Sequence, residues 1–433
     1  MVCRLGSVVS GLLSVVGGHM NGLTRRQFLG KLAVVGGVGL GIAAGLGGRW
    51  WEREPEGTPP PPPTPPTPWS VEALYATPTV EEGTLRCAAC HGDTEPSLPV
   101  SYCHTPHTGT YVRCNLCPHG CLIAEGQRGH CRVRENRGGR LFSVVFGNPC
   151  AVHVDPIEKK PFYHFLPTAA AFSIATAGCN LRCLYCQNWT ISQFPPEETE
   201  NVDLPPEDVV RHALQAGAPV IAYTYTEPTV FYEYMLETAR QGRAAGLKNV
   251  VVSAGFINPE PLRALCAAVD AIKIDLKGYD EGFYRNICGA ELRPVLETIR
   301  IIHESGIHLE IVNLVVPTLN DRLDQLRGLA RWLAREVSPD VPLHFTRFTP
   351  QYKLTNLPPT PVETLERARE VALEEGMRFV YVGNVWGHRG NHTYCPRCGA
   401  LLIAREGFSV TAYRLRNGAC PDCGEPIPGV WWP

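Results

Sequence analysis

From Ala171 to Val382 the chain alternates between two kinds of stretch. Ala171–Thr176, Val220–Tyr225, Asn249–Ser253, Ala271–Leu276, His308–Val316, Leu343–Phe348 and Arg378–Val382 are short and largely apolar, many of them rich in β-branched or aromatic residues. That is the pattern of buried strands. Between them Val230–Ala245, Glu260–Ala268, Leu292–Glu304, Leu323–Val337 and Val362–Glu375 read as helices. Strands separated by helices predict an α/β fold with a parallel sheet, curved or closed by outer helices. Ligand sites in such folds lie at the C-terminal ends of the strands.

The loop after the first strand carries Cys179-Asn180-Leu181-Arg182-Cys183-Leu184-Tyr185-Cys186. Three thiolates at this spacing can hold three irons of a 4Fe–4S cluster and leave the fourth iron open. A structural cluster or zinc site would want a fourth ligand nearby, and Gln187-Asn188-Trp189 offers neither thiol nor imidazole. An open iron suits the binding of a small molecule at the metal.

This motif resembles that of the radical S-adenosylmethionine (SAM) enzymes. The resemblance implies a partial (β/α) barrel of radical SAM type, with SAM chelated through its amino and carboxylate groups at the open iron. Electron donation from the reduced cluster then yields methionine and a 5′-deoxyadenosyl radical, which abstracts hydrogen from a substrate. Cys179, Cys183 and Cys186 would be the cluster ligands, and Tyr185 would pack near the adenine. Several rim residues acquire expected roles. Tyr225-Thr226-Glu227-Pro228 stands where the family has a Gly-Gly-Glu-type stretch, without the glycines, so Thr226 and Glu227 would meet the SAM amino group. Ser253 would reach the ribose. Asp275-Leu276-Lys277 resembles a stretch of pyruvate formate-lyase activating enzymes. Strand alternation turns Asp275 and Lys277 to one face, where Lys277 would pair with the SAM carboxylate. Asn313 lies on the fifth strand. Each of these is otherwise an ordinary polar group at a strand end.

Upstream, Cys114-Asn115-Leu116-Cys117 leads to Cys121 and Cys131. Four thiolates close either a structural zinc site, the reading favoured here, or an auxiliary iron–sulfur cluster. Cys395-Pro396-Arg397-Cys398-Gly399 and Cys420-Pro421-Asp422-Cys423-Gly424 are paired knuckles of a zinc-ribbon-like tail, with rubredoxin-type iron as the alternative metal. The upstream cysteines, Val152–Pro161, Ser173–Cys179 and the tail together resemble the AmmeMemoRadiSam-system radical SAM enzymes. That likeness runs from Arg113 to the end and implies AMMECR-type and Memo-type partner proteins and an electron donor. His153, Asp155, Glu158 and Lys159 either line a substrate entrance or pack at the surface. Cys266 reads as a core residue on a helical apolar face, and Cys288 has no assigned role.

Cys87, Cys90 and Cys103 lie in an inserted stretch. Cys87-Ala88-Ala89-Cys90-His91 matches c-type haem attachment, while Cys87, Cys90, Cys103 and His104 or His107 equally make a zinc-like site. At the other extreme, Thr24-Arg25-Arg26-Gln27-Phe28-Leu29-Gly30-Lys31 followed by the apolar residues 32–47 reads as a twin-arginine signal, cleaved or kept as a membrane anchor. It places the protein on the extracytoplasmic side. The cytoplasmic alternative is favoured by the supply of SAM and reductant.

The domain reading is a signal or anchor over 1–54 and a proline-rich linker over 55–70. A cysteine-rich region (71–165), the barrel (166–390) and the tail (391–433) follow. Forty Lys and Arg against 42 Asp and Glu give a formal charge of −2, without the basic excess of a nucleic-acid binder. Eighteen cysteines in 433 residues fall below the roughly 8–10% of a small disulfide scaffold. Two other functions compete with the enzyme: an exported haem and iron–sulfur electron-transfer protein, and a zinc-binding interaction module.

Overall fold

The computed structural model describes residues 69–79 and 111–432. The twin-arginine stretch, nearly all of the proline-rich linker, and Cys87, Cys90, His91 and Cys103 lie outside the described residues.

The centre is an eight-stranded sheet of β1 (Ala151–Pro156), β2 (Ala170–Ala175), β3 (Val220–Tyr223), β4 (Lys248–Ser253), β5 (Ala271–Asp275), β6 (His308–Val315), β7 (Leu343–Arg347) and β8 (Val380–Gly383). Each strand pairs with its neighbours in sequence, in the order β8-β7-β6-β5-β4-β3-β2-β1. All of these pairings are parallel except β1 with β2, which is antiparallel. The alternation read from sequence is therefore the fold, but β1 was not anticipated. Its residues lack the apolar run of a central strand and are half-exposed or exposed, as suits an edge paired on one side.

The helices of eight residues or more are α1 (Pro206–Gln215), α2 (Tyr232–Ala244), α3 (Pro259–Cys266), α4 (Leu292–Glu304), α5 (Leu323–Glu336) and α6 (Val362–Glu374). Each turns an apolar stripe to the sheet. In α4, Leu292, Val295, Ile299 and Ile302 are buried at spacings of three and four, the period of one helix face. Proline opens α1 and α3 at a position whose N–H has no intrahelical partner. The expected helix Val230–Ala245 is split, with a 3₁₀ turn over Pro228–Phe231 before α2. Cys266 is buried in the core, as expected.

Residues on one face of the sheet, Lys273 and Asp275 on β5, Val312 and Leu314 on β6, His344 and Thr346 on β7 and Gly383 on β8, line a single cavity. Strands that converge on one cavity form a curved trough.

Beyond the sheet, β9 (Thr393–Tyr394), β10 (Leu401–Glu406) and β11 (Ser409–Tyr413) make an antiparallel three-stranded sheet. This tail is fastened to the segment between β1 and β2. Arg405, fully buried, lies 4.1 Å above the Tyr163 ring and donates to the Tyr163 carbonyl at 2.9 Å. The Leu166 N–H donates to the Val430 carbonyl at 2.7 Å.

Candidate active site

The cysteine loop leaves β2 through Gly178, whose φ of +89° places it in the left-handed region. The loop is pinned to a π-helical turn, Tyr284–Cys288. The N–H groups of Arg182 and Leu184 donate to the carbonyls of Cys288 and Ile287 at 2.7 and 3.0 Å. The Leu181 N–H points at Cys179 Sγ, 3.3 Å away, and Cys186 Sγ lies 3.2 Å from the Ser192 hydroxyl. Tyr185 is buried, stacks on Phe283 with ring centroids 6.3 Å apart, and its hydroxyl lies 3.5 Å from Cys288 Sγ. Cys288 is thus a fourth thiol, itself buried, beside the trio. Its spacing in sequence carries no such signal, because the π-helical turn brings it there.

Cys179, Cys183 and Cys186 open on the trough cavity, whose volume is about 650 Å³. Burial pushes the thiols of Cys179 and Cys186 up, and the hydrogen bond with Cys288 together with burial does the same for Cys183.

Lys277, Asp275 and Lys273 line the same cavity. Asp275 accepts hydrogen bonds from both lysines, from Lys277 Nζ at 3.0 Å. Burial works against its charge, but the two ammonium groups hold its carboxyl down at about 2. Lys277 is likewise opposed by burial yet kept protonated, above the usual lysine range, by Asp275 and Cys183. Burial lowers Lys273. Lys273 was missed in the sequence, although its i−2 spacing from Asp275 on a strand is the signal that places them together.

A second polar array lies on the same cavity. Asp155 accepts from Lys159 Nζ at 2.8 Å, Lys160 Nζ at 2.7 Å and the Tyr225 hydroxyl at 2.6 Å. Burial lowers Lys160 to about 8. Lys160, also missed in the sequence, has its ammonium 4.4 Å from the Tyr225 ring centroid. His153 packs edge-on against Tyr225 at 5.6 Å. Glu158 is buried and lines the cavity.

The remaining rim residues divide. Thr226 lines the cavity and donates to the Thr176 carbonyl at 2.9 Å. Glu227 also lines it, but its carboxylate already accepts four hydrogen bonds: from the Thr229 N–H (3.1 Å) and hydroxyl (2.8 Å), the Ser253 hydroxyl (2.7 Å) and the Ala254 N–H (2.7 Å). Its role in this structure is to tie the ends of β3 and β4 together. Ser253 and Asn313 are not on the cavity wall, because Val252 and Ala254, and Val312 and Leu314, face it instead. Asn313 Nδ2 donates to the Leu276 carbonyl at 2.7 Å, which braces the Asp275–Lys277 turn from behind. Tyr225, expected at the end of a strand, has a left-handed φ of +65° beyond the last β3 residue.

In the tail, Cys395, Cys398, Cys420 and Cys423 place all four donor atoms within 4.8 Å of one another. Cys395 and Cys423 sulfurs are 3.5 Å apart, and those of Cys398 and Cys420 are 3.7 Å apart. The two knuckles repeat one turn, in which the Gly399 and Gly424 N–H groups donate to the Cys395 and Cys420 carbonyls at 2.9 Å. A tetrahedral ion with metal–sulfur bonds near 2.3 Å spaces its thiolates about 3.8 Å apart, so this set fits one zinc or iron ion.

A sequence model of the Radical SAM superfamily matches residues 173–333, which hold the cysteine loop and the Asp275–Lys277 wall. An uncharacterised protein of Methanocaldococcus jannaschii is 50% identical over 318 residues, covering 73% of this chain and 95% of the relative. The chain belongs to the radical SAM superfamily. The pyruvate formate-lyase 1-activating enzyme of Escherichia coli K12 is 23% identical over 218 residues, covering 47% of this chain and 89% of that one. Among solved structures, a domain of a pyruvate formate-lyase activating enzyme from Bacteroides vulgatus aligns with a TM-score of 0.34 and 16% identity, over 38% of this chain and 98% of that one.

As a radical SAM enzyme the protein uses a 4Fe–4S cluster and SAM. The site fits the cluster. Three cysteines, all free of disulfides, open on one cavity, as ligation of three irons with the fourth left open requires. The volume falls within the roughly 300–1,000 Å³ of small-molecule sites.

Proposed function

We propose that Cys179, Cys183 and Cys186 hold the 4Fe–4S cluster and that SAM occupies the trough they share with Lys277. When bound, the cluster and SAM supply the 5′-deoxyadenosyl radical that abstracts hydrogen from a substrate. The chain's own residues set the geometry. Lys277, kept cationic by Asp275, meets the SAM carboxylate, and the apolar wall of Val252, Val312 and Leu314 keeps water from the reacting carbon. Thr226 is free to accept a further hydrogen bond at the rim. The single observation that carries this reading is that the cysteine trio and the Lys273–Asp275–Lys277 group line one cavity.

A protein substrate is part of the same reading, after the activating enzymes to which the chain is similar. Phe408, from the β10–β11 hairpin of the tail, lines the cavity mouth and is 45% exposed, which suits contact with a macromolecule. AMMECR-type and Memo-type proteins are the partner candidates, and a low-potential electron donor is required. Delivery to the extracytoplasmic side by a twin-arginine signal, with membrane association through residues 1–54, belongs to the proposal as well. No helix of the described residues is long and apolar enough to cross a membrane.

The substrate claim is tested by turnover. The full chain, reconstituted without oxygen, is given SAM and dithionite with an AMMECR-type or a Memo-type protein. Formation of 5′-deoxyadenosine several-fold above the level without that protein, with deuterium passing from a uniformly deuterated protein into 5′-deoxyadenosine, is expected. Cleavage of SAM that no added protein stimulates would contradict a protein substrate among these candidates.

A further inference from the structure

The upstream cysteines are not arranged like the tail cysteines. Among the described residues, the tail four are the set whose donor atoms all lie within 4.8 Å of one another. Neither Cys114, Cys117, Cys121 and Cys131 nor the trio Cys179, Cys183 and Cys186 meets that spacing, not even for three of their number. The physical difference is what the thiolates bind. Around a single zinc they share one centre and sit about 3.8 Å apart. Around a cluster each binds a different iron, so the sulfurs stand further apart. On this measure the upstream set groups with the trio.

The upstream four nevertheless form one site. With His119, His130 and Asn180 they line a single cleft. Cys114 ends a strand, Tyr111–Cys114, and its N–H donates to the Cys121 carbonyl at 2.9 Å. The Gly120 N–H closes a turn on the Cys117 carbonyl at 3.1 Å, and the His130 N–H points at Cys121 Sγ, 3.5 Å away. An N–H directed at a cysteine sulfur stabilises the thiolate and is one of the levers on a cluster's potential. Buried polar atoms at the site lack a protein partner: His130 Nε2, which is on a residue lining the cleft, and Arg134 Nε. Arg134 itself is buried and paired with Glu233, which puts a fixed cation beside the thiols.

The cleft abuts the catalytic loop. Asn180, the residue after Cys179, lines it, and its carbonyl lies 2.7 Å from His119 Nε2. Arg182 joins the two loops by donating to the Cys179 carbonyl at 2.9 Å and to the His130 carbonyl. A Cβ on Gly178 would sit 2.6 Å from the Cys131 carbonyl, so the two backbones touch where the catalytic loop begins.

We propose that Cys114, Cys117, Cys121 and Cys131 hold a second, auxiliary 4Fe–4S cluster with four cysteine ligands, seated against the loop of the first. The comparison of spacings rests on the cluster assignment proposed for the trio, but the site and its test stand apart from SAM cleavage. Four protein ligands leave no iron open, so this cluster binds no SAM.

The test is metal content of the full chain after anaerobic reconstitution with iron and sulfide. Wild type is expected to hold about eight irons per chain, two clusters' worth. The Cys179→Ala/Cys183→Ala/Cys186→Ala variant is expected to keep about four irons and four sulfides, with the signal of a reduced 4Fe–4S cluster unaltered by SAM. Adding Cys117→Ala and Cys121→Ala to that variant is expected to remove those four irons and the sulfide, leaving at most the one ion of the tail knuckles. In reduced wild type, the electron spins of the two clusters are expected to broaden one another, because their loops touch. Wild type with about four irons, or a trio variant that is iron-free and takes up zinc, would overturn the proposal. So would about four irons that persist after Cys117 and Cys121 are replaced, since the tail knuckles account for no more than one. Wild-type iron content decides the matter even if a variant fails to fold.

Discussion

At the scale of single residues, the cavity separates groups that hold a charge from groups that titrate. Lys277 remains cationic because Asp275 and Cys183 outweigh its burial. Replacing it by Met keeps the length and removes the charge-assisted contact with a carboxylate. Such a contact is worth about 1.5–3 kcal/mol, so Lys277→Met should weaken SAM binding about 10- to 100-fold, read by titrating SAM into the reduced protein and following the cluster's resonance. Unchanged affinity would remove Lys277 from the SAM site. Lys160 behaves differently, since burial lowers it to about 8 from the ordinary 10.5. Between those values the unfolded chain holds the proton and the folded chain has lost it, so this group's contribution to stability rises with pH across that window. Its charge in the cavity fades over the same range. The pH profile of 5′-deoxyadenosine release should therefore show a break near pH 8 in wild type. In Lys160→Gln the break should vanish, and a break that persists would assign it to another group.

Residue-level chemistry was partly legible in the sequence. Period-two alternation correctly turned Asp275 and Lys277 to one face, and the same rule applied to Ser253 and Asn313 would have turned them away from it. Glu227 was legible as a rim carboxylate, but not as one whose oxygens are already engaged by Thr229, Ser253 and Ala254. Two of those partners, Ser253 and Ala254, come from a neighbouring strand end, and no local pattern records that.

At the scale of elements, the strand and helix positions followed from periodicity because each strand is buried on both faces and each helix on one. What periodicity could not show was β1, whose half-exposed residues pair on a single edge, and the π-helical turn that sets Cys288 against Tyr185. The junction of β2 with the cysteine loop is the element most sensitive to change. Gly178 combines a left-handed φ with backbone contact to Cys131. Gly178→Ala is expected to cost at least about 1–3 kcal/mol, seen as a lower denaturant midpoint, and to reduce iron incorporation. A variant as stable and as iron-rich as wild type would show that this contact is unimportant. In the helical layer, Ile299→Ala on α4 removes fully buried methyl groups from the core and should cost about 2–5 kcal/mol by the same measurement, while leaving the cysteine loop intact.

At the scale of the whole molecule, the tail is more than an appendix to the barrel. Its metal knuckles shape a small sheet that packs on the Tyr163–Leu166 segment through Arg405, and its hairpin brings Phe408 to the cavity mouth. The knuckle spacing in the sequence announced the four-cysteine cluster, but not that the tail reaches the cavity. Cys398→Ala/Cys423→Ala should lower the melting temperature, since losing a structural metal ranks among the large destabilisations of about 4 kcal/mol or more. The central claim concerns the trio that shares the trough with Lys277. Its most direct test is the release of 5′-deoxyadenosine by the full chain, reconstituted without oxygen and supplied with SAM and dithionite, with wild type and Cys183→Ala compared side by side. Product from wild type and none from Cys183→Ala is the predicted result. No product from wild type carrying its intact cluster, or equal product from Cys183→Ala, would contradict it.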